Sequence, residues 1–143
     1  MGTITEGSAG GTPGHMAPEL LSGSSGVSKE ADMYAFGMMV YEVIAGAKPH
    51  RLRKVWEITT LTLQGWRPPR PEAPMPIGFG QGTWEFTERC WDGNPTQRPS
   101  ARAALEHFEH VARISTVVDP GPAIQFQEPV GASEPSSESR EIW

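Results

Sequence analysis

The chain has 143 residues, a length that fits one domain, and a formal net charge of −5. Residues 117–143 carry five acids and one arginine, which leaves 12 acids against 11 bases over residues 1–116. A nearly neutral body without a large basic patch excludes nucleic-acid binding driven by phosphate neutralisation. The single cysteine, Cys90, excludes an internal disulfide and forms no metal-ligand set with the scattered histidines, which points to a reducing compartment. No apolar run reaches the roughly 18 residues of a membrane span. The opening MGTITEGSAGG lacks the basic start and apolar core of a secretory signal, and Glu6 breaks the myristoylation pattern. The expected location is the cytoplasm, with the nucleus as the second choice and no membrane partner.

Residues 1–14 hold five glycines and no periodic apolar positions, the pattern of a flexible loop. A short helix is predicted over 17–21, where Pro18 suits the first turn and Glu19 suits a positive helix N-terminus. Ser22-Gly-Ser-Ser-Gly26 then breaks the chain. The clearest helix follows: Ser28 as its N-cap, ADMYAFGMMVYEVIA as its body, Gly46 as its stop and Pro49 beyond. Over 31–47 only Asp32 and Glu42 are charged, and a helix so apolar around its circumference belongs in the middle of a protein.

A further helix is predicted over 52–64, from the spacing of Val55, Ile58 and Leu61 and the stop at Gly65. The run GWRPPRPEAPMPIGFGQG is a Pro/Gly connector. Thr83 is the expected cap of a short helix through Trp91, and Ser100 caps the last one. There Ala104, Leu105, Phe108, Val111 and Ala112 form one apolar stripe. From 117 onward Pro, Ser, Glu and Gly dominate, which predicts a disordered acidic tail. The body reads as all-α.

Few residues suggest chemistry by themselves. The glycine-rich start has no Lys followed by Ser or Thr, so it is no phosphate loop. His107 and His110, three apart beside Glu106 and Glu109, could share a metal, but they lack a third ligand and read as a solvated face. Asp32 admits two readings. It is either a surface acid favoured by the helix dipole, or a buried anchor that must meet several donors.

Four stretches then become informative together: GTPGHMAPEL, KEADMYAFGMMVYEVIAGAKPH, GWRPPRP and CWDGNPTQRPS. In this order and at these spacings they resemble the C-terminal part of a protein kinase domain, from inside the activation segment to the final helix. Thr12 ahead of Met-Ala-Pro-Glu is similar to serine/threonine kinases, and Cys90-Trp91 with Arg98-Pro99 to the tyrosine-kinase-like group. The resemblance implies a partial activation-segment loop over 1–15, a helical partial C-lobe over 16–116 and the tail over 117–143.

It also implies roles. Thr12 shapes the peptide-substrate platform, Glu19 closes the activation segment and pairs with Arg98, and Trp91 is a further structural anchor. Asp32 holds the backbone of a catalytic loop, which favours its anchor reading. Thr3, Thr5 and Ser8 are candidate phosphosites. Gly14-His15 departs from the bulkier pair usual at that place.

The family's phosphate-covering loop, strand lysine, helix glutamate, H-R-D loop and D-F-G metal site have no counterpart in the sequence. ATP and magnesium are therefore implied for a full-length domain, while no catalytic, cofactor or metal residue is assigned here. The first expectation is a serine/threonine kinase fragment, inactive alone, from a truncated gene model whose true product begins further upstream. The second is a non-catalytic binding module that engages a protein partner or self-associates through its apolar central helix.

Overall fold

The computed structural model describes residues 11–72 and 79–117. These residues are helical and contain no strand. Helix α1 spans Pro18–Leu21, α2 Lys29–Ala45, α3 Val55–Leu63, α4 Gln81–Cys90 and α5 Ala101–Val117, with 3-10 turns at Pro13–His15 and Pro95–Gln97. No described helix is long and apolar enough to cross a membrane.

Helix α2 is the axis of the molecule. Ser28 Oγ accepts from Ala31 N at 3.1 Å, satisfying one of the unpaired donors of the first turn. Gly46 closes the other end with φ 62°, a left-handed conformation that glycine adopts without a Cβ penalty. Tyr34 and Met38 are almost fully buried, against Trp84 and Trp91 from α4 and its C-cap. The two indoles meet edge to face, 5.9 Å apart. Behind them Met33, Phe86, Cys90 and Ala104 form a second apolar cluster joining α2, α4 and α5. At Gly37 a Cβ would lie 2.6 Å from Cys90 Cβ, so α2 and α4 approach more closely than any side chain would allow.

Several sequence expectations are corrected here. The helix predicted from 52 begins at Val55, because Lys54 N donates to Glu57 Oε2 at 2.9 Å and so marks the first turn. The three residues before Lys54 form turns instead, with Leu52 at φ 70° and 96 % exposed. Thr83 is no cap: Gly80 is, its carbonyl accepting from Thr83 N and Trp84 N, and α4 ends at Cys90 rather than Trp91. Thr83 is buried in the first turn.

The last helix keeps its Ser100 cap, with Oγ accepting from Ala103 N at 3.2 Å, and extends to Val117, inside the span expected as tail. Leu105, expected in its buried stripe, is 60 % exposed. Within the expected flexible loop, Pro13–His15 forms a turn closed by His15 N donating to Thr12 O at 2.8 Å. The candidate phosphosites Thr3, Thr5 and Ser8, and residues 118–143 of the tail, lie outside the described residues.

Candidate functional site

The segment from Thr12 to Glu19 runs across one side of α2 and is clamped at its C-terminal end. Glu19 accepts two hydrogen bonds from Arg98, Nη1 to Oε1 at 2.6 Å and Nη2 to Oε2 at 2.9 Å. The Arg98 side chain is 0 % exposed and that of Glu19 10 %. Two more of its N–H groups find carbonyls: Nε donates to Asp92 O and Nη1 to Glu30 O, each at 2.9 Å. One guanidinium thus joins α1, the start of α2 and the loop before α5. Burial works against the Glu19 carboxylate, but the Arg98 hydrogen bonds and charge outweigh it and hold the carboxyl below its ordinary value.

A second arginine completes the clamp. Arg67 donates from Nε to Trp91 O at 2.9 Å and from Nη1 to Trp66 O at 2.8 Å. The Tyr34 ring faces the guanidinium carbons of both Arg67 and Arg98 at 5.1 Å, so α2 meets two delocalised cations through one aromatic side chain. Trp91, singled out as an anchor in the sequence, is buried and supplies the carbonyl that Arg67 grips.

Beside the clamped segment lies a hollow of about 650 Å3, bounded by the Pro13–His15 turn, the chain following α2 and the start of α3. Thr12 is exposed at its rim. His50 is buried in its wall, its ring 4.9 Å from that of Trp66. A Cβ on Gly14 would come within 3.3 Å of His50 Cδ2, a tight contact that the imidazole would have to relieve by shifting a few tenths of an ångström. His15 Nε2 stands 3.3 Å from Glu42 Oε1. Burial, followed by the charges of Arg53, His15 and Arg67, holds the His50 pKa below its ordinary value.

Asp32 lies apart from this hollow. It is exposed on the first turn of α2 and shares a separate recess of about 340 Å3 with Thr12 and Met16. Its side chain meets no donor among the described residues, and the H-R-D loop whose backbone the resemblance has it hold has no counterpart in this sequence.

The metal reading of His107 and His110 finds no support: no group of three or more His, Cys, Asp or Glu side chains among the described residues could hold a metal ion. His110 is exposed as expected, but His107 is not a solvated residue. Its ring stacks on Phe86 at 4.6 Å and 12°, and Nε2 lies 3.1 Å from Thr83 Oγ1. Cys90 is fully buried, and burial pushes its thiol up to about 12, far from nucleophilic use.

Tyr34, Arg67 and His50 were not identified by sequence reasoning. All three stand inside quoted stretches, Arg67 in GWRPPRP and Tyr34 and His50 in KEADMYAFGMMVYEVIAGAKPH, so the same kind of signal existed for each.

These features, a platform segment clamped to a central helix by a buried arginine, coincide with a family match. The family described as protein kinase domain matches residues 4–108. This chain belongs to the protein kinase family. Among similar proteins, the dual serine/threonine and tyrosine protein kinase of Bos taurus is 38 % identical over 100 residues, covering 67 % of this chain and 10 % of its own. The dual serine/threonine and tyrosine protein kinase of Homo sapiens is 37 % identical over 100 residues, with the same coverage of 67 % and 10 %. A probable LIM domain-containing serine/threonine-protein kinase of Dictyostelium discoideum is 31 % identical over 107 residues, 75 % of this chain and 16 % of that protein. The chain therefore spans about a tenth to a sixth of these kinases.

Glu42 is the single acid lining the platform hollow, and Asp32 lies in a different recess. The arrangement leaves an open hollow of about 650 Å3 beside a segment fixed by the Glu19–Arg98 pair.

Proposed function

We propose that this chain supplies the peptide-presenting part of a protein kinase domain, in the service of phosphoryl transfer to protein serine or threonine. The bidentate Glu19–Arg98 pair is the observation that carries this reading, because it fixes the Thr12–Glu19 segment as a rigid wall beside an open hollow. In this reading Thr12 and the Pro13–His15 turn meet the substrate backbone, in the cytoplasm.

Phosphoryl transfer depends on positioning and charge stabilisation by a nucleotide cradle, metal ligands and a catalytic aspartate. The sequence contains neither H-R-D nor D-F-G, so the chain by itself is proposed to be inactive. Two measurements test this. Titration of a serine-containing peptide should perturb the amides of Thr12 to Met16, and calorimetry should detect no ATP–Mg binding. Perturbation confined to α4 and α5 would overturn the platform, and saturable stoichiometric nucleotide binding would overturn the inactivity.

A second reading, a non-catalytic binding module, is favoured by one feature. Between α2 and α5 runs an open apolar groove of about 430 Å3, lined by Phe36, Met39, Val43, Leu105 and Phe108 among others.

A further inference from the structure

The platform hollow carries a marked charge asymmetry. Lys48, Arg51 and Arg53 line it from the chain after α2, with His15 and His50 beside them. All three cations are exposed, and none has an ion-pair partner among the described residues. Glu42 is the one acid in the lining; its Oε1 lies 3.3 Å from His15 Nε2 but, like the His50 nitrogens, makes no hydrogen bond. Glu57, at the start of α3, is engaged by Lys54 N.

The cationic side is also built rather than scattered. The Arg53 guanidinium sits over the Trp66 ring at 5.6 Å, and the same ring lies 4.9 Å from that of His50. Arg51 N donates to Lys48 O and Arg53 N to His50 O, so successive turns hold the cationic chain in place. His50 is only 6 % exposed, and neither of its ring nitrogens has a hydrogen-bond partner. An unpartnered buried imidazole in the wall of a cationic hollow is a polar group awaiting a ligand.

We propose that this hollow selects peptides carrying a carboxylate side chain, Asp or Glu, beside the residue presented at Thr12. The inference rests on the platform reading above and adds to it the class of peptide. The carboxylate accepts hydrogen bonds from the Arg51 and Arg53 guanidinia, which suit it better than a single ammonium does. His50 offers a further ring N–H donor from the wall.

The test is fluorescence anisotropy of labelled peptides with the 143-residue chain, comparing a glutamate-containing peptide with its glutamine counterpart. We expect the acidic peptide to bind at least about tenfold more tightly at about 0.01 M salt, and that preference to vanish near 1 M, where screening shortens to about 3 Å. The double variant Arg51→Gln/Arg53→Gln should remove the preference, bringing the two peptides to equal affinity. Both side chains are exposed, and circular dichroism of the variant should show the helices unchanged.

Equal binding of both peptides by the unaltered chain overturns the carboxylate selectivity and leaves the platform standing. Binding of neither peptide overturns both. A preference that survives the double variant overturns the assignment to this hollow. The salt dependence is read on the unaltered chain, so it decides the matter even if the variant unfolds.

Discussion

At the scale of single residues, Arg98 bears the greatest structural demand. A guanidinium with a fully buried side chain is tolerable only if its donors are met, and here a carboxylate and two carbonyls meet them. Removing it strands the Glu19 carboxylate, so Arg98→Ala should cost about 3–5 kcal/mol of unfolding free energy in urea titration. Arg98→Lys should recover little of that, since an ammonium cannot make the paired fork. A loss under about 1 kcal/mol would place the pair among exposed ion pairs and contradict its role as a clamp.

Protonation provides a second expectation. Burial, reinforced by neighbouring cations, lowers the pKa of His50 and of His107 from 6.5. The unfolded chain therefore binds protons that the folded chain refuses, and stability falls as pH drops below 6.5. The Glu19 pKa is lowered from 4.5, so its share of stability is present above 4.5 and is lost as pH falls through the lower folded value. Urea midpoints against pH should show both declines, the second absent in Glu19→Gln. A flat profile below 6.5 would contradict the histidine assignment.

At the scale of elements, the decisive contact is the crossing of α2 and α4. Gly37 is the point of approach, with the Cys90 Cβ occupying the space a side chain would need and the Thr87 carbonyl 3.4 Å away. The obstruction is a rigid Cβ on a helix, so it cannot swing aside as a long side chain could. Gly37→Ala should force the helices apart and destabilise the chain by about 1–3 kcal/mol, despite alanine's better helix propensity. A thermal melt that rises on this substitution would show the crossing to be loose.

The extent of α2 and the start of α5 were legible in the sequence because their caps, Ser28, Gly46 and Ser100, act locally. The start of α4 was not. Thr83 has the chemistry of a cap, but Gly80 leads the helix and leaves Thr83 inside, where its hydroxyl meets His107.

At the scale of the whole molecule, the apolar surface is incompletely covered. Met39 and Val43 on α2 are 48 % and 58 % exposed, and Leu105 stands across the groove at 60 %. Apolar area left in water contributes nothing to stability, at about 25 cal/mol per Å2, and contiguous patches promote association. The isolated chain should bind a hydrophobic dye and self-associate, and Val43→Glu with Leu105→Glu should reduce both while sparing the Arg98 clamp. Light scattering that shows a dye-silent monomer before substitution would rule out an accessible groove.

What the sequence determined by itself was the set of local and family signals: capped helices, an all-α body, and four ordered motifs that identify a protein kinase. It also supplied both members of the Glu19–Arg98 pair, but only through resemblance, since two charges so far apart carry no local sign of contact. Only the tertiary structure decided how these parts meet. The paired cations around Tyr34, the close approach at Gly37, the buried and unpartnered His50, the stacked His107 and the exposed Asp32 all depend on which helix faces face one another. That choice arises from packing between residues distant in the chain, and neither local propensity nor spacing records it.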